Sequence, residues 1–303
     1  MRRSVIVVLL ALLATLGAYG PVAAATPTSN AKVVIIVGAD TPQYLDDADQ
    51  LYKEAIQHTT NVVRVYSPKA TWAAVKSATT NANVVIYLGH GNGWPSPYTF
   101  DPYYTTKDGF GLNATAGTTH GNLKYYGEPS IRTLDLAPNA VVFLFHLCYA
   151  SGNNESWDTS SVSWSKAQQR AANYASAFLA AGASVVIADG HSHNPYYLRE
   201  LFTKTESLEL LWRKAPSFNN HVRKFVPTHT TTNVVLKGTG MLDPENSSSG
   251  FYRSIVGEVS VSTSAVIGEL PTGSITASRD DTTTVTIQAA TTDRSSVRVI
   301  TRR

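Results

Sequence analysis

Asn83-Val84-Val85-Ile86-Tyr87-Leu88-Gly89-His90-Gly91 and Ala140-Val141-Val142-Phe143-Leu144-Phe145-His146-Leu147-Cys148 are two apolar runs of the same build. Each reads as a short buried strand that ends on a reactive side chain. Strands that are apolar throughout belong in a parallel sheet covered on both faces. In such open α/β sheets, chemistry collects at the carboxyl ends of the strands. The two runs therefore nominate a Cys/His site, and Cys148 is the only cysteine in the chain.

The neighbouring segments fit the same sheet. Lys32 to Val37 is a β-branched first strand ending in Gly38-Ala39-Asp40. Tyr44 to Gln57 is helical, with Leu45, Ala48, Tyr52, Ala55 and Ile56 on one face and acids early, as the helix dipole prefers. Asn61 to Tyr66 is a second strand and Thr71 to Thr79 a short helix. Asn83 to Leu88 and Ala140 to Leu147 are the third and fourth strands. Ser163 to Ala181 is a helix capped by Gly182, Ser184 to Ala188 a fifth strand, and Tyr196 to Lys214 another helix. This alternation predicts an α/β domain with a mainly parallel sheet flanked by helices. Between the third and fourth strands, Asn92 to Pro129 reads as a long loop whose many aromatics argue for packing over disorder. From about Tyr252 onward Ser, Thr and Val alternate, which predicts a small β-rich C-terminal module over 251–303.

The ends and the charge narrow the function. Arg2 and Arg3, the apolar Val5 to Leu16 and Ala23-Ala24-Ala25 form a signal peptide over 1–25, with cleavage near Ala25. The expectation is a secreted, extracellular protein without a membrane span, since no apolar run is long enough. The formal net charge of +3 falls by two once Arg2 and Arg3 are removed. So weak a charge gives no support for nucleic-acid binding. One cysteine cannot form an internal disulfide, and a lone thiol in an oxidising compartment asks for a reason.

A cysteine nucleophile reacts as its thiolate and takes a nearby His as partner. Acyl transfer also needs donors for the oxyanion. Gly91, without a Cβ, allows close approach of substrate to its backbone N–H, and the N–H of Cys148 is a second donor. The segments Val84 to Gly91 and Val141 to Cys148, with Phe178-Leu179-Ala180-Ala181-Gly182-Ala183-Ser184-Val185-Val186 behind them, resemble the caspase-like cysteine peptidases: caspases, metacaspases, legumains, gingipains and clostripain. In that group one apolar strand ends in His-Gly and a second, about 50 residues later, ends in the nucleophile. The resemblance spans roughly Lys32 to Lys214. It implies Cys148 as nucleophile, His90 as general acid/base, the N–H groups of Gly91 and Cys148 as oxyanion donors, no cofactor, a peptide or protein substrate, and strand order 2-1-3-4-5 within a domain over 26–250.

There are departures. Relatives often read Cys-x-Ser-Gly, whereas this chain reads Cys148-Tyr149-Ala150-Ser151-Gly152. The position two before the nucleophile, which commonly lines the substrate pocket, is His146, and Asp40 occupies another region that contributes to that pocket. Both are carried as substrate-binding candidates. Two other readings compete. Asp189, His191 and His193 form an alternating comb at a strand end that would suit a metal-dependent hydrolase; alternatively, they form a turn in which Asp189 caps the next helix, or Asp189 lines the substrate pocket. The third reading is a non-catalytic caspase-like binding module. An activated Cys148 would be alkylated well below the ordinary thiol pKa of about 8.5, and His90→Ala would raise that pH.

Overall fold

The computed structural model describes residues 29–268 and two short strands beyond them. The signal peptide read over 1–25 lies outside the described residues. In chain order the elements begin β1 (Val33–Val37), α1 (Leu45–Ala55), β2 (Val62–Tyr66), α2 (Trp72–Thr79) and β3 (Val84–Leu88). Next come β4 (Phe110–Asn113), β5 (Leu123–Tyr126), α3 (Glu128–Ile131), β6 (Ala140–Phe145), α4 (Trp164–Ala180) and β7 (Ala183–Asp189). They continue with α5 (Tyr196–Thr203), α6 (Leu208–Arg213), β8 (Arg223–Phe225), β9 (Thr239–Leu242), β10 (Arg253–Gly257) and α7 (Thr263–Ile267). Beyond residue 268, β11 (Ile275–Arg279) and β12 (Thr283–Ile287) pair antiparallel with each other.

The fold is α/β, with a mixed but mainly parallel sheet of eight strands in the order β2-β1-β3-β6-β7-β10-β9-β8. The five strands expected from the sequence are parallel neighbours. The full order departs from a five-strand 2-1-3-4-5 sheet, because β10, β9 and β8 extend it antiparallel from β7. β10 pairs with β7 along its whole length, so the Ser/Thr/Val-rich texture after Tyr252 begins inside the main sheet. These late strands escaped the periodicity reading because they are short and punctuated by polar residues.

Alternation along the strands divides the core. Val34, Ile36, Val85, Tyr87, Val142 and Leu144 pack against α2 and α4. Val33, Ile35, Val37, Val84, Ile86, Val141 and Phe143 pack against α1, α5 and α6. Every residue of β1, β3, β6 and β7 is buried, as fully apolar interior strands require. The edge strands β2 and β8 carry Arg64, Arg223 and Lys224 on their exposed positions, charges that discourage edge-to-edge pairing.

Two further differences concern the connections. The Asn92 to Pro129 stretch holds a small hairpin, β4 with β5, and α3. Strands of four residues leave too little pattern to be read. The single helix expected over Tyr196 to Lys214 is two, because Ser207 starts a new one by accepting from the Leu210 N–H at 3.2 Å.

Candidate active site

The chain runs from β1 out to β2 and then returns to place β3 on the other side of β1. Such a reversal opens a crevice at the carboxyl ends of the diverging strands. Asp40 follows β1, His90 and Gly91 follow β3, and Cys148 follows β6. All four line one cleft of about 670 Å³, together with Asn92, Tyr98, Lys107, Tyr125, Glu155, Ser156 and Trp157.

β3 and β6 run parallel with Leu88 opposite Phe145, so three residues later Gly91 stands level with Cys148. The fit is close. A Cβ on Gly91 would lie 2.2 Å from the Cys148 carbonyl oxygen and 3.0 Å from its nitrogen. Only glycine allows the two backbones to meet here. His90 is held from below: the Tyr87 hydroxyl lies 3.1 Å from the His90 carbonyl and 2.9 Å from the Gly111 carbonyl, and accepts from the Gly111 N–H. His90 and Cys148 are both partly exposed to the cleft. Among the described residues, neither side chain has the other as a hydrogen-bond partner, a separation that apo catalytic pairs often show.

The electrostatics of Cys148 run against the expected early ionisation. Burial, and next the facing Glu155 carboxylate, push the thiol up to about 11, although the Ser156 and Cys148 backbone N–H groups facing the sulfur pull the other way. The resting group is a thiol. Glu155 is a cleft residue that sequence reasoning missed. It accepts from the Tyr149 hydroxyl at 2.8 Å, from the Tyr98 hydroxyl at 2.9 Å and from the Trp157 indole N–H. Tyr149 and Trp157 belong to its own loop, but Tyr98 reaches it from the loop after β3, a closure that no local pattern marks.

Cys148 is followed by a tight turn. Tyr149 adopts φ 70, and the Gly152 N–H donates to the Tyr149 carbonyl at 2.9 Å. This turn buries the Tyr149 ring. Arg170, buried on α4, locks it. Its Nη1 donates to the Asn153 carbonyl at 2.7 Å and to Asn154 Oδ1 at 2.8 Å, and its Nε to the Pro95 carbonyl at 2.7 Å. One guanidinium thus ties the loop after His90 to the loop after Cys148. Arg170 also stands on the apolar face of its helix in the sequence, and that anomaly was the available signal.

The other candidates lie elsewhere. His146 does not line this cleft; it leaves the strand with φ 64, stacks on Tyr44 with ring centroids 4.6 Å apart, and faces α1. The period of two that would have put it beside Cys148 ends at Phe145. Asp189 is buried; it accepts from the Ser217 hydroxyl at 2.7 Å and the His191 N–H at 3.2 Å, and stands 3.7 Å from Arg253 Nε. It closes a turn and does not cap α5, whose first N–H donates to Asn194. His191 turns outward, pairs with Glu245 at 2.9 Å and stacks on Tyr252. Asp189, His191 and His193 therefore do not converge as a ligand set.

The sequence matches no protein-family model and no curated protein. No helix among the described residues is long and apolar enough to cross a membrane.

Proposed function

We propose that this chain is an exported cysteine endopeptidase of caspase-like type. The observation that carries this reading is the convergence of His90, Gly91 and Cys148 at the ends of adjacent parallel strands, in one cleft of about 670 Å³. Cys148 Sγ attacks the peptide carbonyl while its proton passes to His90, and His90 returns that proton to the leaving amine. The thioester is then hydrolysed by water that His90 deprotonates. The Gly91 and Cys148 N–H groups, level with each other across β3 and β6, are the donors for the oxyanion. Because the resting Cys148 is a thiol, its proton moves during attack and not before it.

Asp40 and Glu155 give the cleft walls two carboxylates beside Lys107, and the peptide residue they meet is proposed to be polar or basic. The residues named require no cofactor for this chemistry. The raised thiol pKa specifically favours one other reading, a binding module on the same fold that does not turn over. A fluorogenic peptide library, screened with the chain lacking residues 1–25 and with Cys148→Ala and His90→Ala, separates the two. Cleavage by the parent that both variants lack supports the peptidase. Peptide binding without cleavage by all three proteins supports the module.

A further inference from the structure

Outside the cleft, three side chains from three separate segments converge. Asp47 comes from the first turn of α1, His146 from the residue after β6, and His193 from the loop between β7 and α5. Their donor atoms form a near-equilateral triangle. His146 Nε2 lies 3.5 Å from Asp47 Oδ2, His193 Nδ1 lies 3.3 Å from the same oxygen, and the two ring nitrogens are 3.4 Å apart.

These are not the lengths of ordinary histidine–carboxylate pairs. A charge-assisted hydrogen bond spans about 2.7–2.9 Å. The other such pairs among the described residues obey that: His58 with Glu54 at 2.9 Å, His191 with Glu245 at 2.9 Å and His229 with Glu128 at 2.7 Å. The triangle is wider on every edge. Four ligands held tetrahedrally at about 2.0–2.1 Å stand about 3.3–3.4 Å from one another, the separation found here. One carboxylate oxygen and two imidazole nitrogens make a face of such a tetrahedron, with the fourth corner open. The donors are also pre-aimed. The His146 ring is stacked nearly flat on Tyr44, at an interplanar angle of 7°, which fixes its plane.

We propose that Asp47, His146 and His193 bind a divalent transition-metal ion of zinc's class, with water or an external ligand in the fourth position. The mixed nitrogen and oxygen donors suit zinc and disfavour magnesium or calcium, which take oxygen ligands. The ion ties α1 and the loop after β7 to the end of the strand that carries Cys148. Tyr44 stacks on His146, two residues before the thiol in the chain. This site is distinct from the Asp189/His191/His193 comb and shares only His193 with it. It is independent of the peptidase reading.

The test uses the Cys148→Ser protein, so that the thiol cannot supply a ligand. Zinc affinity is measured by competition with a chromophoric chelator, and cobalt(II) replaces zinc for visible spectroscopy. Expected are one ion per chain, intense cobalt bands of tetrahedral type, and at least about tenfold weaker binding in His146→Ala and in His193→Ala. His191→Ala keeps the parent affinity. His193 lies in a loop, so its variant keeps the test open where His146→Ala fails to fold. Absence of stoichiometric zinc at about 100 μM, corresponding to a Kd far above the micromolar range, would overturn the proposal. So would binding that survives both histidine substitutions or that His191→Ala abolishes.

Discussion

The titration of Cys148 gives the sharpest test of how this cleft works. Burial and Glu155 move the thiol from a reference value of 9.0 to about 11. At neutral pH the thiolate is therefore about 100-fold scarcer than in a solvent-exposed cysteine, since one pKa unit is a factor of ten. A more basic thiolate is a better nucleophile. With a Brønsted slope of about 0.4–0.5, two units return about six- to tenfold. The net expectation is labelling by a small aromatic disulfide about 10- to 16-fold slower than free cysteine near pH 7.5.

Burial also hinders access, so the pH profile is more telling than the absolute rate. The logarithm of the rate should climb by about one per pH unit, without a plateau, to beyond pH 9. The sign follows from the raised value: raising pH toward it increases the thiolate, and lowering pH removes it. His90→Ala should leave that slope unchanged, because His90 takes the proton only when substrate is attacked. A plateau of fast labelling between about pH 5 and 8, lost in His90→Ala, would mean a preformed thiolate–imidazolium pair and would refute this account of the site.

Four further outcomes follow from the same geometry. Glu155→Gln removes the second largest cause of the raised thiol value, so the labelling midpoint should move to lower pH, read from the same disulfide assay. His90→Gln should reduce peptide hydrolysis by about 10²–10⁴-fold, the span of general-base effects, with the thermal midpoint unchanged in calorimetry. Gly91→Ala drives a methyl group against the Cys148 carbonyl; it should cost about 1–3 kcal/mol in urea unfolding and abolish cleavage. Arg170→Met strips two loops of their buried charged donor; at about 1.5–3 kcal/mol for a hydrogen bond to a charged group, it should lower stability by at least that much and raise KM as the cleft rim loosens.

The parallel half of the sheet was legible because its strands are continuous apolar runs, and buried strands are the elements that sequence marks most plainly. His90 and Cys148 were legible for a related reason. A polar or reactive residue directly after such a run stands at a strand end whatever the topology. What local pattern could not supply was the direction of side chains beyond the strand ends. His146 follows the same run as Cys148, yet with φ 64 it stacks on Tyr44 and leaves the cleft lining. Strand periodicity applies only while the backbone remains extended, and it stops at Phe145. Asp189 was misleading for the complementary reason: a carboxylate at a strand end resembles a ligand until its distant partners, Ser217 and Arg253, are known.

The residues that tune the cleft were hidden because their effects depend on long-range closure. Glu155 acts on Cys148 through space, and is itself fixed by Tyr98 from a loop far back in the chain. Arg170 stands out in sequence as a charge on the apolar face of its helix, but the loops it reaches on both sides of the cleft cannot be read from that position. The same distinction separates the two possible fates of this fold. A strand-end His and Cys create the opportunity for acyl transfer, but the surrounding shell determines whether the sulfur ionises at rest or only under attack. Here that shell is acidic and partly dry, which selects the second course. An enzyme built this way depends on substrate binding to exclude water and align His90, so its thiol should be protected in the free protein. Saturating peptide substrate analogue should then shield the thiol still further, since it adds desolvation and steric cover; labelling at the unliganded rate would mean that the peptide does not occupy this cleft.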